Sequence, residues 1–204
     1  MTREPTEYPE PPWRLRGQFW SGIFRTVKAI RVDRLPVGTR AIFANRLAIA
    51  AISYQSESLC YDELIITVPV WQRGRPRLWI RDIWVSEEFA KWGGIHIWNV
   101  PKKRADFCWQ EDSVQVEDDD GSILQLSKPN ARFEVPWLMT VIPFLGAHQG
   151  EPITSYAWWS GSLAVTKCKP TILRWSDRFE DNPLAEPTVG FMSSSFKMTV
   201  KAPR

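Results

Sequence analysis

Leu64–Trp71, LIITVPVW, is almost wholly apolar and rich in β-branched residues, which predicts a buried strand. Pro69 within it marks an edge or a bulge, because proline has no N–H to give to a ladder. The next apolar run, Leu78–Val85 (LWIRDIWV), follows a turn at Gly74-Arg75-Pro76, so the two strands make a hairpin. Ala105–Gln110 and Ser113–Val116 are strand-like, and Ile123–Leu126 follows across Asp120-Gly121, a strong hairpin signal between apolar alternations. Further strands are expected over Trp137–Ile142, Tyr156–Lys169 and Phe196–Lys201. Val27–Leu35 fits a strand or a short helix ending at Pro36, and Ile42–Tyr54 fits either state.

One helix start is visible at Ser86-Glu87-Glu88, a capping residue followed by acids, with Gly93-Gly94 expected to end it. Many strands, few short helices, no internal repeat and no dividing linker describe a mainly β, single-domain antiparallel barrel or sandwich over residues 13–204. Pro5, Pro9, Pro11 and Pro12 exclude helix from residues 1–12, which read as a flexible, Pro-rich leader.

Composition changes this picture in one respect. Twelve Trp among 204 residues suit a β-rich protein with an aromatic cavity or a large subunit interface. A net charge of +3, spread along the chain, excludes a concentrated nucleic-acid-binding face. Three cysteines without CxxC spacing and two histidines suggest neither a disulfide framework nor a metal site. The acidic run Glu117–Asp120 lacks the alternation of a calcium loop and reads as a solvated hairpin tip. The polar N-terminus has no apolar core of a signal peptide, and no apolar run approaches a membrane span, so a cytoplasmic protein is expected.

The candidate chemistry lies in Ile97–Ala105, IWNVPKKRA, where two lysines leave a proline turn inside an apolar segment. A lysine amine is a nucleophile only when neutral, and in water a pKa of about 10.4 keeps it protonated. Burial or a neighbouring ammonium disfavours the charge and brings the amine into range for Schiff-base formation with a ketone. The bland alternative is a surface turn. Pro101 argues for direction, since it fixes its own φ and holds the preceding residues extended. Glu63, at the start of a buried strand, is an unusual place for a carboxylate unless it is paired with one of these lysines or lies outside the buried part.

The segment WVSEEFAKWGGIHIWNVPKKRADF resembles the signature of the acetoacetate decarboxylase-like superfamily, in which a G-R-E run precedes W-G-x-P-K-K. Upstream, LCYDELIITVPV is similar to that family's Y-x-E-L strand, and PPWRLRGQFWSGIF and FKMTVKAP resemble its first and last strands. The resemblance implies a cone-shaped β-barrel with an apolar central cavity, usually assembled into homo-oligomers, and no external cofactor. It implies that Lys102 is the Schiff-base residue, that Lys103 raises the local charge density, and that Glu63 handles protons near the lysine. Acetoacetate decarboxylase is itself the type case of a lysine activated in this way. Tyr61 and Trp98, in the same motifs, are expected to bind substrate.

Two departures stand out. Gly94-Ile95-His96 replaces G-R-E, which makes His96 a candidate substrate-binding residue, and Trp98-Asn99 replaces W-G. Arg16 is a candidate ligand for a substrate carboxylate, since a guanidinium suits that task. The leading expectation is a cofactor-independent Schiff-base lyase that decarboxylates a small or medium β-keto acid. The alternatives are a lysine-dependent aldolase, dehydratase or cyclase acting on an oxo-acid or polyketide-like substrate, and a non-catalytic binding barrel.

Overall fold

A computed structural model describes residues 8–56, 59–131 and 133–203, apart from the Val32 side chain. Its chain order begins with β1 (Trp13–Arg25), a 3-10 turn (Val32–Arg34), β2 (Thr39–Ala41), β3 (Arg46–Gln55), β4 (Cys60–Gln72) and β5 (Arg75–Val85). The single α-helix among the described residues, α1 (Glu88–Trp98), is followed by β6 (Lys102–Arg104), β7 (Asp106–Trp109), β8 (Ser113–Asp118) and β9 (Gly121–Ser127). The chain ends with β10 (Val135–Gly146), β11 (Ile153–Val165), β12 (Ile172–Trp175) and β13 (Val189–Val200).

Seven strands close a barrel in the order β4-β3-β1-β13-β11-β10-β5, with β5 pairing back onto β4. All the seams are antiparallel except β10–β5, a short parallel contact at Phe144 and Leu145. A second sheet, β12-β9-β8-β7, packs on the outside.

Period-two alternation explains why one part of the sequence looked uniformly apolar. On β3 and β4, Ile52, Tyr54, Tyr61 and Glu63 face the barrel interior. Leu47, Ile49, Leu64 and Ile66 face outward, yet they are buried under Val114, Val116, Ile123 and Leu124 of the second sheet. A strand covered on both faces has no polar side to show.

Pro69 sits where β4 changes partner from β3, which pairs as far as Thr67, to β2, which pairs from Val70. Its carbonyl accepts from Ile42 N on that same edge, so the missing N–H falls at a break in the ladder. The β4–β5 turn is at Arg73-Gly74, one residue earlier than expected, with φ of 49° and 74° at the two positions. That is the twist a two-residue hairpin needs.

Two expectations are corrected. Ser86 does not cap the helix: its Oγ accepts from Asp62 N at 2.8 Å, tying the helix entry to β4. Gly93-Gly94 does not end α1 either, because the helix runs on to Trp98. The glycines are there for close packing rather than for a stop. A Cβ on Gly93 would lie 2.6 Å from the Trp13 ring, and one on Gly94 would lie 2.3 Å from Lys102 Cδ. The stop falls at Asn99, whose φ of 54° and ψ of 38° are left-handed.

Of the expected leader, residues 1–7 lie outside the described residues. Pro9 O accepts from Trp13 Nε1 at 2.7 Å, and the Tyr8 ring lies 5.6 Å from that of His96, so Tyr8 and Pro9 contact the barrel and helix.

Candidate active site

The turn that delivers the lysines is built from local rules. Asn99 takes a left-handed conformation that glycine adopts most easily and asparagine next. Its side chain earns the position by donating to Gln149 O and accepting from Gln149 N, at 2.7 and 2.9 Å. This is why an asparagine can stand where the related motif has glycine. Lys102 N–H then closes onto Val100 O at 2.8 Å, a three-residue turn centred on Pro101. β6 starts immediately, pairing in parallel with Ile83–Val85 of β5.

Lys102 is the inward residue of β6. Its side chain is 6% exposed, and Nζ donates to Glu63 Oε2 at 3.0 Å, with the Glu63 side chain 7% exposed. The ammonium also lies 5.3 Å from the Tyr61 ring centre and 5.8 Å from that of Trp13. Tyr54 donates its hydroxyl to the other carboxylate oxygen, Oε1, at 3.2 Å. Glu63 therefore holds one bond on each oxygen, which meets the condition for keeping a carboxylate in an apolar interior. Burial, reinforced by the negative charge of Glu63, pushes the Tyr54 and Tyr61 hydroxyls well above the ordinary tyrosine range. Both remain neutral, and Tyr54 remains a hydrogen-bond donor, throughout the working pH range.

This group stands in a barrel cavity of about 520 Å³. Apart from Lys102 and Glu63, its described lining carries no charged side chain. Polar atoms come mainly from Tyr54 and Tyr61 beside the pair and from Ser21, Thr67 and Thr140 elsewhere on the wall.

The structure brings Lys102, Glu63, Tyr61 and Trp98 together and places the other three candidates elsewhere. Lys103 is corrected: it alternates to the outer face of β6, exposed, with Nζ 5.4 Å from the Trp84 ring centre. Neighbours on a strand point to opposite faces, so Lys103 cannot share the interior with Lys102. His96 is corrected for the helical equivalent of that reason. Ala90, Gly94 and Trp98 form the inward face of α1, and His96, two residues from Gly94, is turned outward to accept or donate at Tyr8 Oη, 3.1 Å away. Arg16 is exposed on the outer face of β1, between the inward positions of Leu15 and the following bulge, and does not line the cavity.

Sequence reasoning missed Tyr54 and Trp13. The signal was available: Ala48, Ala50, Ile52 and Tyr54 share one parity, so any strand through 46–55 puts Tyr54 in phase with the cavity wall.

Two expected results follow from these contacts. Gly94→Ala gains about 1 kcal/mol of helix propensity but drives a methyl into the Lys102 stem, 2.3 Å from Cδ and 2.7 Å from Cε. Thermal stability is expected to change little while the rate falls roughly 10²-fold, the cost, on the lysine-centred reading proposed below, of displacing Nζ by about 1 Å. Steady-state kinetics beside a melting curve check this, and an unchanged kcat would contradict it.

The raised tyrosines give the second result. A hydroxyl whose folded pKa exceeds its unfolded value contributes stability that is complete below about pH 10 and is lost as pH rises through the folded value. Chemical denaturation should show stability falling above about pH 10, and absorbance titration should show that two of the four tyrosines ionise only with unfolding. Free ionisation of all four in the folded protein would contradict the buried placement.

The acetoacetate decarboxylase family model matches residues 17–133. No curated protein matches the chain. Among solved structures, it is similar to the enduracididine biosynthesis enzyme MppR complexed with pyruvate, at 14% identity and a TM-score of 0.69, covering 96% of this chain and 90% of that one. MppR complexed with the condensation product of pyruvate and imidazole 4-carboxaldehyde matches at 15% identity and a TM-score of 0.62, covering 96% and 89%. An acetoacetate decarboxylase from Legionella pneumophila matches at 15% identity and a TM-score of 0.69, covering 100% and 90%.

Proposed function

The chain belongs to the acetoacetate decarboxylase family, and from that premise we propose that it is a Schiff-base lyase in which Lys102 decarboxylates a β-keto acid. The observation that carries this reading is the Lys102 Nζ–Glu63 contact of 3.0 Å, with both groups buried in an apolar cavity.

In the reaction Glu63 takes a proton from the Lys102 ammonium, and the free amine adds to the substrate ketone. Glu63 returns the proton to the carbinolamine hydroxyl, which leaves as water and creates the iminium. The bond to the substrate carboxylate then breaks: its electron pair moves into the C=N group, giving a neutral enamine, and CO2 departs. A proton from water, relayed through Tyr54 or Glu63, reaches the enamine carbon, and water releases the ketone. One proton is consumed overall and the Lys102–Glu63 pair is restored.

The apolar lining supports the carbon–carbon cleavage. No arginine stands among the described lining residues to stabilise a substrate carboxylate, so loss as neutral CO2 relieves a desolvated charge.

A second reading keeps the iminium and lets its enamine attack an aldehyde, in an aldol-type condensation followed by dehydration. The similarity to MppR with a condensation product bound favours it, as does a cavity with room for two reactants.

Borohydride reduction in the presence of acetoacetate and a panel of oxo acids, with mass analysis of the peptide containing Lys102, separates the readings. An adduct with CO2 release supports the decarboxylase. An adduct without CO2 supports the condensation. No adduct with any oxo compound leaves a binding barrel and defeats both.

A further inference from the structure

The cavity has two different ends. At one, Trp13, Tyr54, Tyr61, Glu63 and Lys102 are all buried, with Trp98 of α1 packed behind them. Moving away from that end along β3, the wall passes from Tyr54 through Ile52 and Ala50 to Ala48, and the residues become half-buried. Six residues of strand, at a rise of about 3.3 Å and a tilt of roughly 40°, make a path of about 15 Å along the barrel axis.

At the far end the wall reaches β10, where Trp137 lines the cavity and is 46% exposed. Its neighbours Leu138 and Met139, 89% and 71% exposed, give the surface there an apolar character. β10 pairs with β5 only at Phe144 and Leu145, so its half around Trp137 has β11 on one side and, among the described residues, no strand on the other. The buried end holds Lys102 and Glu63, and exposure at the far end marks it as the side open to entry.

The walls between are mainly apolar, and the small side chains of Ala48, Ala50 and Ser21 keep them wide. A volume of about 520 Å³ lies within the roughly 300–1,000 Å³ that holds drug-sized ligands, far more room than a four-carbon keto acid fills.

We propose that the substrate is a carbonyl compound with an extended apolar tail, which enters carbonyl-first through the Trp137 end and reaches Lys102 with its tail along the barrel. The role given to the carbonyl rests on the Schiff-base reading above; the tail's place rests on the cavity alone. Charged groups are confined to the Lys102 end; along the path behind it the described lining offers only the hydroxyls of Ser21, Thr67 and Thr140 and nothing charged. A keto acid with a second carboxylate on its tail is therefore excluded.

The test titrates the intrinsic tryptophan fluorescence of the full chain with methyl ketones from butanone to undecanone. Affinity is expected to rise about fourfold for each added methylene until the tail reaches the opening. Ala50→Phe, which fills the middle of the path, should end that gain at a shorter chain. Each ketone is also reduced with borohydride and the Lys102 peptide weighed.

Affinity independent of chain length overturns the inference, and an adduct with the short ketones then leaves the Schiff-base reading standing. A chain-length gain that Ala50→Phe does not shorten also overturns it, because the tail then lies elsewhere. Rising affinity without any adduct defeats the Schiff-base reading and retains the tail site. If Ala50→Phe does not fold, the wild-type series decides by itself.

Discussion

Lys102→Gln is expected to abolish the borohydride adduct and to lower the rate by on the order of 10⁴-fold or more, the scale of losing a covalent nucleophile. Glutamine keeps most of the length of the stem and can donate to Glu63, so the cavity keeps its shape. It cannot neutralise the carboxylate, however. Breaking one side of a buried pair leaves an uncompensated charge, at a cost of about 3–5 kcal/mol. The double variant Lys102→Gln/Glu63→Gln removes both charges and should recover most of that stability without recovering activity. Denaturant titration and adduct mass, measured on the same preparations, separate the two effects. Lys103→Ala is the control: with its side chain outside the barrel, stability should change by less than about 0.5 kcal/mol and the adduct should persist. Retention of the adduct in Lys102→Gln, or its loss in Lys103→Ala, would reverse the assignment of the two lysines.

Glu63→Gln is expected to reduce kcat roughly 10²–10⁴-fold at neutral pH, the range for losing a general acid–base group. The amide matches the carboxyl in shape and its oxygen still accepts from Tyr54, but its NH2 then faces Lys102 Nζ, so the variant also carries the cost of an unpaired buried charge. What disappears is the group 3.0 Å from Nζ that can take its proton and return it to the carbinolamine. Proton transfers at the carbinolamine and enamine must then go through solvent, and the loss should persist across the whole pH range. A pH–rate profile of the two proteins checks this. A variant within threefold of wild type across the profile would show that Glu63 only fills space. Tyr54→Phe offers a graded comparison, since it deletes one bond to Glu63 while leaving the Lys102 contact in place.

Much of this was legible along the chain, for identifiable reasons. The β4–β5 hairpin follows from apolar runs and turn residues that act over a few positions. Lys102 and Glu63 were readable as candidates because a charge inside an apolar run demands a partner, though along the chain either lysine could have been that partner of Glu63. Pro101 could be read as a director of the chain because its ring restricts φ whatever surrounds it.

The misplacements share a different cause. Lys103, His96 and Arg16 each have chemistry suited to the site, but a side chain's face depends on the phase of its element, and phase is set by what the element packs against. β6 is only three residues long, too short for any pattern to show which lysine turns inward; its pairing with Ile83–Val85 decides. Gly93-Gly94 looked like a helix stop because glycine is weak in helices, and the compensating contacts with Trp13 and Lys102 come from residues distant along the chain.

Local sequence rules determined many of the strands, the β4–β5 and β8–β9 turns, the proline-directed lysine and the need for a buried counter-charge, all of which depend on short-range sterics and on the cost of burying polar groups. Only closure of the barrel decided which lysine is inside, that Tyr54 completes the pair, and that the cavity runs from the buried Lys102 group to the exposed Trp137. Those features arise from register between strands far apart in the chain, where a shift of one residue would exchange the inner and outer faces.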